Sequence, residues 1–401
     1  MKTRRAGRLT AAAVLVLASA GSAGAQKLTD KELLGKFLFF DGISSPGSMS
    51  CAVCHGPSVG FTGPDAEINR HGTVYRGAMP ERFGNRKPPS SAYATFSPVF
   101  HYDQEKGFVG GNFWDGRATG LRLGNPAADQ ALGPFLNPVE QNNPSSKAVL
   151  EHVRQAPYAR LWEQVWGEPL RLDTQAEVDR NYGRVGLAIA VYEACHEMSP
   201  FSSKYDYSLQ GKVQLTEQEQ QGLALFKDKA HCDSCHTSTP GPNGAPPLFT
   251  DFTYDNLGVP KNPENPYYRM DRVEVNGKPI NPDGASWVDP GLAGFLEASG
   301  NPAWRKLAPE SRGKFKVPTL RNVDKRPSRD FPKAYMHNGV FKSLEEVVHF
   351  YNIRDVPGAG WPAPEVPQNV NTDEMGNLRL TAAEEASVVA FLRTLSDDYT
   401  P

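Results

Sequence analysis

Two stretches of this 401-residue chain, Cys51-Ala-Val-Cys54-His55 and Cys232-Asp-Ser-Cys235-His236, carry residues that can do covalent chemistry on a prosthetic group. Both read C-x-x-C-H. Two thiols at this spacing add across the two vinyl groups of one haem, and the following histidine then lies under the iron as its proximal ligand. A redox dithiol or half a zinc site uses C-x-x-C but has no need of the adjacent histidine. The spacing therefore predicts two covalently bound c-type haems, with Cys51, Cys54, Cys232 and Cys235 as attachment points and His55 and His236 as iron ligands. The fifth cysteine, Cys195, has no partner at this spacing and reads as a buried structural thiol.

Each motif needs helices to hold it. Gly35-Lys-Phe-Leu38-Phe39-Phe-Asp41 precedes the first, and Gly222-Leu-Ala-Leu225-Phe226-Lys-Asp228 precedes the second. Both read G-x-x-L-F-x-D. Both follow a capping box, Thr29-x-x-Glu32 and Thr216-x-x-Glu219, so each motif follows an amphipathic helix with its own start signal. Each half also closes on a helical pattern: Val185, Ala188, Ile189 and Tyr192 in the first, and Val388, Phe391, Leu392 and Leu395 behind Thr381-x-x-Glu384 in the second. One helix before the haem motif and one long after it is the cytochrome c arrangement. Few strands are signalled. The expected fold is mainly α, with two cytochrome c-like haem domains and long loops, at residues 26–210 and 211–401.

Composition agrees with an exported, water-exposed protein. Lys2, Arg4, Arg5 and Arg8 precede an apolar stretch, Leu9 to Ala20, that is short for a bilayer span. Ala23-Gly24-Ala25 is a cleavage signal, so residues 1–25 read as a signal peptide and the mature chain as periplasmic. The formal charge of −2 points to no nucleic acid, and no later run reads as a membrane helix.

Between the haem motifs stand Phe113-Trp114-Asp115-Gly116-Arg117-Ala118 and Gly133-Pro134-x-x-Asn137-Pro138-x-Glu140. Phe315-Lys-Val-Pro-Thr-Leu-Arg-Asn322 and Tyr335-Met-His337-Asn-Gly follow the second motif. With two C-x-x-C-H sites in this order, the chain resembles the bacterial dihaem cytochrome c peroxidase and MauG family over nearly its whole mature length. The resemblance implies a peroxidatic N-terminal haem on His55 and an electron-accepting C-terminal haem on His236, with Trp114 between them as a bridge. It implies that Glu140 is the distal acid that moves a proton during peroxide cleavage, with Pro134 shaping the same pocket. It implies reduction of hydrogen peroxide to water, with electrons from a small periplasmic cytochrome c or cupredoxin, and a possible homodimer.

Several positions depart from the pattern. His71, sixteen residues beyond His55, stands about where many relatives carry a histidine that caps the resting iron; an exposed loop histidine is the competing reading. Fourteen residues beyond His337, where many of these peroxidases carry a methionine ligand, stands Tyr351, with Met336 as the competing ligand. A phenolate stabilises ferric and higher states where a thioether favours ferrous iron. Tyr351 thus gives weight to an alternative, MauG-like oxidation of a protein or organic substrate through a high-valent dihaem state. A non-catalytic dihaem electron carrier is the alternative of another class, and it has no use for Glu140. Calcium, held between the domains in many relatives, is left open: Lys87 falls where a ligating asparagine is expected, with Asn85 close by. The basic, aromatic stretch 325–334 reads as a cover over the second haem or a partner contact.

Overall fold

The computed structural model describes residues 27–241 and 244–401; residues 1–25, read above as a signal peptide, lie outside the described residues. Helices of ten or more residues are labelled in chain order as α1 (Asp30–Phe40), α2 (Pro126–Leu136), α3 (Ser146–Gln155), α4 (Gln175–Ala194), α5 (Glu217–Lys227), α6 (Leu344–Ile353) and α7 (Ala382–Arg393). The described strands are two or three residues long and pair as antiparallel ribbons, so the protein is mainly α.

The helices begin where local chemistry starts them. At α1, Thr29 Oγ1 accepts from the Glu32 backbone N–H at 3.3 Å, and Glu32 Oε2 accepts from the Thr29 N–H at 2.6 Å. The same reciprocal box caps α5 at Thr216/Glu219 and α7 at Thr381/Glu384. Two further boxes, Thr174/Glu177 and Ser343/Glu346, start α4 and α6.

Two apolar cores follow from how these helices cross. In the first, Leu34, Leu38 and Phe39 of α1 meet Val185, Ala188, Ile189 and Tyr192 of α4, over Phe135 of α2 and Val149 and Val153 of α3. In the second, Phe226 of α5 meets Val388, Phe391 and Leu392 of α7, with Leu344 and Phe350 of α6. The repeated glycine sits at each crossing. A Cβ on Gly35 would overlap the Ala188 carbonyl oxygen and lie 2.8 Å from the carbonyl carbon. One on Gly222 would overlap the Ser387 carbonyl oxygen and lie 2.6 Å from its carbon. The G-x-x-L-F-x-D repeat therefore encodes a close helix crossing followed by a core aromatic, once in each half.

The chain passes between the cores earlier than 210/211. Tyr205, on the short helix Lys204–Leu209, packs 5.3 Å from Phe249 and 5.7 Å from Phe391, ring centre to ring centre, inside the second core. Phe201 still packs on the first. We place the change-over between Phe201 and Lys204, because the apolar face of that helix is buried with the second core. Polar side chains lock the two halves together. Tyr93 Oη, in the first half, donates to Asp397 at 2.8 Å, and Arg321, fully buried and forked onto both carboxylate oxygens of Asp206 at 2.9 Å, lies with its guanidinium over the Tyr93 and Phe201 rings. Lys333, in the stretch 325–334, does not face outward. Its buried ammonium donates to the carbonyls of Val59, Asn322 and Lys325, pinning that loop to the first half.

Candidate active site

Each C-x-x-C-H segment lines its own cavity. The first encloses about 1110 Å³ and the second about 1490 Å³, mouths included. In the first, His55 Nδ1 is bonded to the Phe61 carbonyl at 3.0 Å; in the second, His236 Nδ1 is bonded to the Phe249 carbonyl at 2.9 Å. Bonding Nδ1 to a carbonyl fixes the tautomer and leaves Nε2 as the nitrogen for an iron. Burial lowers both imidazoles, His55 to about 4, so both are neutral as ligation requires. The second cavity is walled by Phe226, Val317, Leu320, Leu344, Val348 and Leu392, a surface suited to a flat apolar macrocycle. The residues present fit a haem in each cavity.

The first cavity has a buried carboxyl on its wall. Pro134 lacks a backbone N–H, and α2 ends two residues later at Leu136. The turn that follows bonds the Glu140 N–H to the Asn137 carbonyl at 3.0 Å and returns Glu140 to the cavity wall beside Pro134. Glu140 Oε2 accepts from Asn137 Nδ2 at 2.8 Å. Burial raises its pKa, against the lowering effects of Asn137 and the Arg117 charge. Gln130 and Glu193 share the cavity and escaped the sequence reading, since neither stands in a spacing that marks chemistry; Arg117, which stands in the Phe113–Ala118 block but takes no role from it, joins them.

Trp114 lines both cavities. It is buried, its Nε1 donates to the Lys87 carbonyl at 2.8 Å, and its own carbonyl accepts from the Lys316 N–H at 2.9 Å. Beside it, Arg86 is held by Asp115 at 2.7 Å and Asp289 at 2.6 Å, all three side chains nearly inaccessible. Burial opposes ionisation of the two carboxyls, but the Arg86 guanidinium overrides it and keeps both below their ordinary values. The arginine joins a first-half and a second-half acid across the seam that holds the indole. Lys87 Nζ donates to Thr62 Oγ1 and the Pro88 carbonyl, each at 3.1 Å, and sits 5.9 Å from the Trp114 ring centre.

Tyr351 and Met336 both line the second cavity. Tyr351 comes from α6, one turn beyond Val347 and Val348 on the face that meets the cavity. Cys195 is buried in the first core at the end of α4.

Of the two readings of His71, a cap on the resting iron or an exposed loop histidine, its position accords with the second. It lines neither cavity. It caps the short helix Ala66–Arg70 with its ring exposed, Nε2 lying 3.0 Å from Glu67 and Nδ1 3.6 Å from Glu264. The helix stops just before it, and two carboxylates hold the ring outward. His71→Ala is expected to leave the ferric spin states unchanged by EPR; a low-spin to high-spin conversion would restore the ligand role.

Two cavities, each with a C-x-x-C-H wall and an oriented imidazole, joined by one indole, define a two-haem redox protein. The family model described as di-haem cytochrome c peroxidase matches residues 29–214. Methylamine utilization protein MauG of Paracoccus denitrificans is 34% identical over 398 residues, covering 96% of this chain and 93% of that protein. Cytochrome-c peroxidase IdrP2 of a Pseudomonas species is 29% identical, covering 91% and 81%. The crystal structure of the diheme peroxidase BthA from Burkholderia thailandensis superposes with a TM-score of 0.76 at 31% identity, covering 93% and 87%. The chain belongs to the di-haem cytochrome c peroxidase family, a family of two-haem oxidoreductases.

Proposed function

We propose that this protein is a periplasmic peroxidase that reduces hydrogen peroxide to water with electrons from a small redox protein, a cytochrome c or cupredoxin. The observation that carries the reading is Trp114 on the walls of both cavities, with Glu140 in the first alone. The division of labour follows. Electrons enter at the second cavity and peroxide is cleaved in the first. No described helix is long and apolar enough to cross a membrane.

His55 and His236 would hold the irons, and the four paired cysteines would form the thioethers. Burial pushes Cys51, Cys232 and Cys235 up to about 12, which suits thiols consumed in covalent bonds rather than redox-active thiolates. When bound, the haem irons supply the two electrons that peroxide needs. The rest falls to this chain's side chains. The ionised Glu140 carboxylate takes the proton from the inner peroxide oxygen and returns it to the outer one, which leaves as water. The indole of Trp114 is a large π-system that carries a transient hole between the cavities, held in place by its bond to the Lys87 carbonyl. The Lys87 ammonium stands in for a calcium ion at the seam, so metal analysis of washed protein should find no tightly held calcium.

A second reading, oxidation of a protein or organic substrate, draws on one observation: a tyrosine, Tyr351, lines the second cavity. From this wall Tyr351 would hold the iron of a haem in the second cavity, and Tyr351→Met should then raise the potential of one haem by ~0.1 V or more in a spectroelectrochemical titration, since a thioether favours ferrous iron. An unchanged potential would remove Tyr351 as ligand. Steady-state assay with peroxide and reduced cytochrome c tests the primary reading. Rapid oxidation of the cytochrome supports it; no turnover by protein loaded with two haems overturns it.

A further inference from the structure

The first cavity holds a second carboxyl that Glu140's role leaves unused. Glu193, in the last turn of α4, is only 2% exposed and lines the cavity, yet its Oε2 has no hydrogen-bond partner among the described residues. Gln141, next to Glu140, is equally buried; its Nε2 faces Cys51 Sγ at 4.0 Å, and its Oε1 is also unpartnered. Two buried, unsatisfied oxygens on one cavity wall are costly unless something there donates to them or one of them carries a proton.

We propose that Glu193 is a proton-loading group of the first cavity, keeping a neutral carboxyl there that supplies the net proton uptake of peroxide reduction.

The chemistry requires such a supply. Reduction of one hydrogen peroxide consumes two electrons and two protons and yields two waters, whereas Glu140 only moves a proton already on the peroxide. The surroundings of Glu193 keep it neutral. The haem-attachment helix presents the Cys51 thiol, and the turn after α2 presents Glu140 and Gln141; none of these is a cation. From α1 and α2 the cavity receives Phe39, Gln130, Ala131 and Pro134. The other titratable groups on its wall are Cys54, His55 and Tyr75, all neutral there. Of the wall cations, Arg86 is held by Asp115 and Asp289, Arg117 by Asp115, and Lys87 by Thr62 and Pro88. Arg76 completes the set. Burial alone lifts the Glu193 carboxyl, to about 8.

This inference rests on the peroxidase reading for its role in turnover, but the proton itself can be observed separately. Redox-difference infrared spectroscopy of the two-haem protein should show a protonated-carboxyl C=O band that vanishes in Glu193→Gln. In the same variant peroxide turnover at pH 7 should fall about 10-fold or more, and the alkaline loss of rate near pH 8 should disappear. Glu193→Asp should restore a shifted band and part of the rate, and it serves as the test if the glutamine variant fails to assemble. A band unchanged in both variants would overturn the proposal, as would wild-type rates and pH profile in Glu193→Gln. Wild-type protein with no peroxide turnover at all would refute the peroxidase reading, while the infrared band would still report on Glu193.

Discussion

Glu140→Gln is expected to retain both haems and lose peroxide turnover by about 10²- to 10⁴-fold, the usual contribution of a positioned general acid–base group. Glutamine keeps the size of the side chain and can still meet Asn137, which bonds Glu140 Oε2 at 2.8 Å, so the wall should be preserved. What it lacks is a carboxylate to take the proton from the inner peroxide oxygen. The pH dependence has a defined sign. Burial raises the Glu140 pKa, so the working, ionised form is lost as pH falls through that raised value, and wild-type activity should decline on the acid side. The variant's residual rate should lack that acid limb. Pyridine haemochrome spectra confirm the haem content, and stopped-flow with peroxide measures the rate. Full activity in the glutamine variant would remove Glu140 from the chemistry and revive the electron-carrier reading.

Gly222→Val is expected to destabilise the second half by ~3 kcal/mol or more, the upper range of overpacking, because backbone rather than a movable side chain blocks the space. A Cβ there collides with the Ser387 carbonyl and comes within 2.8 Å of Phe391 Cβ, so α5 and α7 must separate. Domains of this kind are stable by only ~5–15 kcal/mol, so the loss is large. Phe226 and Phe391 line the same crossing, and the attachment segment at Cys232 follows α5 directly. Separation should therefore also lower haem incorporation at the second site. Gly35→Val should do the same to the first site through Ala188 and Tyr192. Thermal denaturation and haem-stained gels of the two variants measure both effects. A variant melting within a degree or two of wild type would show that the crossing can open at little cost.

The haem motifs, the capping boxes and the glycine–leucine–phenylalanine repeat are legible in the residues because each is a local device. Thiol spacing is set within five residues, and a cap closes over four. The two-core, mainly α plan follows from them. The seam is not local. Arg86 reaches Asp289 across 203 positions of chain, and no pattern in either segment announces the pair. Lys333 looks like a solvent-facing base among other bases, but three backbone carbonyls from both halves enclose it. His71 stands at a suggestive distance from His55 in the chain, but the helix ending at Arg70 and two nearby carboxylates direct it outward.

By itself the sequence determined where the two C-x-x-C-H segments stand and which pairs of helices hold them, and it set the expectation of two covalently held haems. Those choices depend on bond geometry and helix-end hydrogen bonding among near neighbours. Only the tertiary structure decided that Trp114 faces both cavities, that Glu140 returns to the wall beside Pro134, and that Glu193 is buried there with its Oε2 unpartnered among the described residues. The reason is physical. Which distant side chains share a cavity depends on where helices cross and what the crossings leave unfilled, and those depend on the packing of the whole chain.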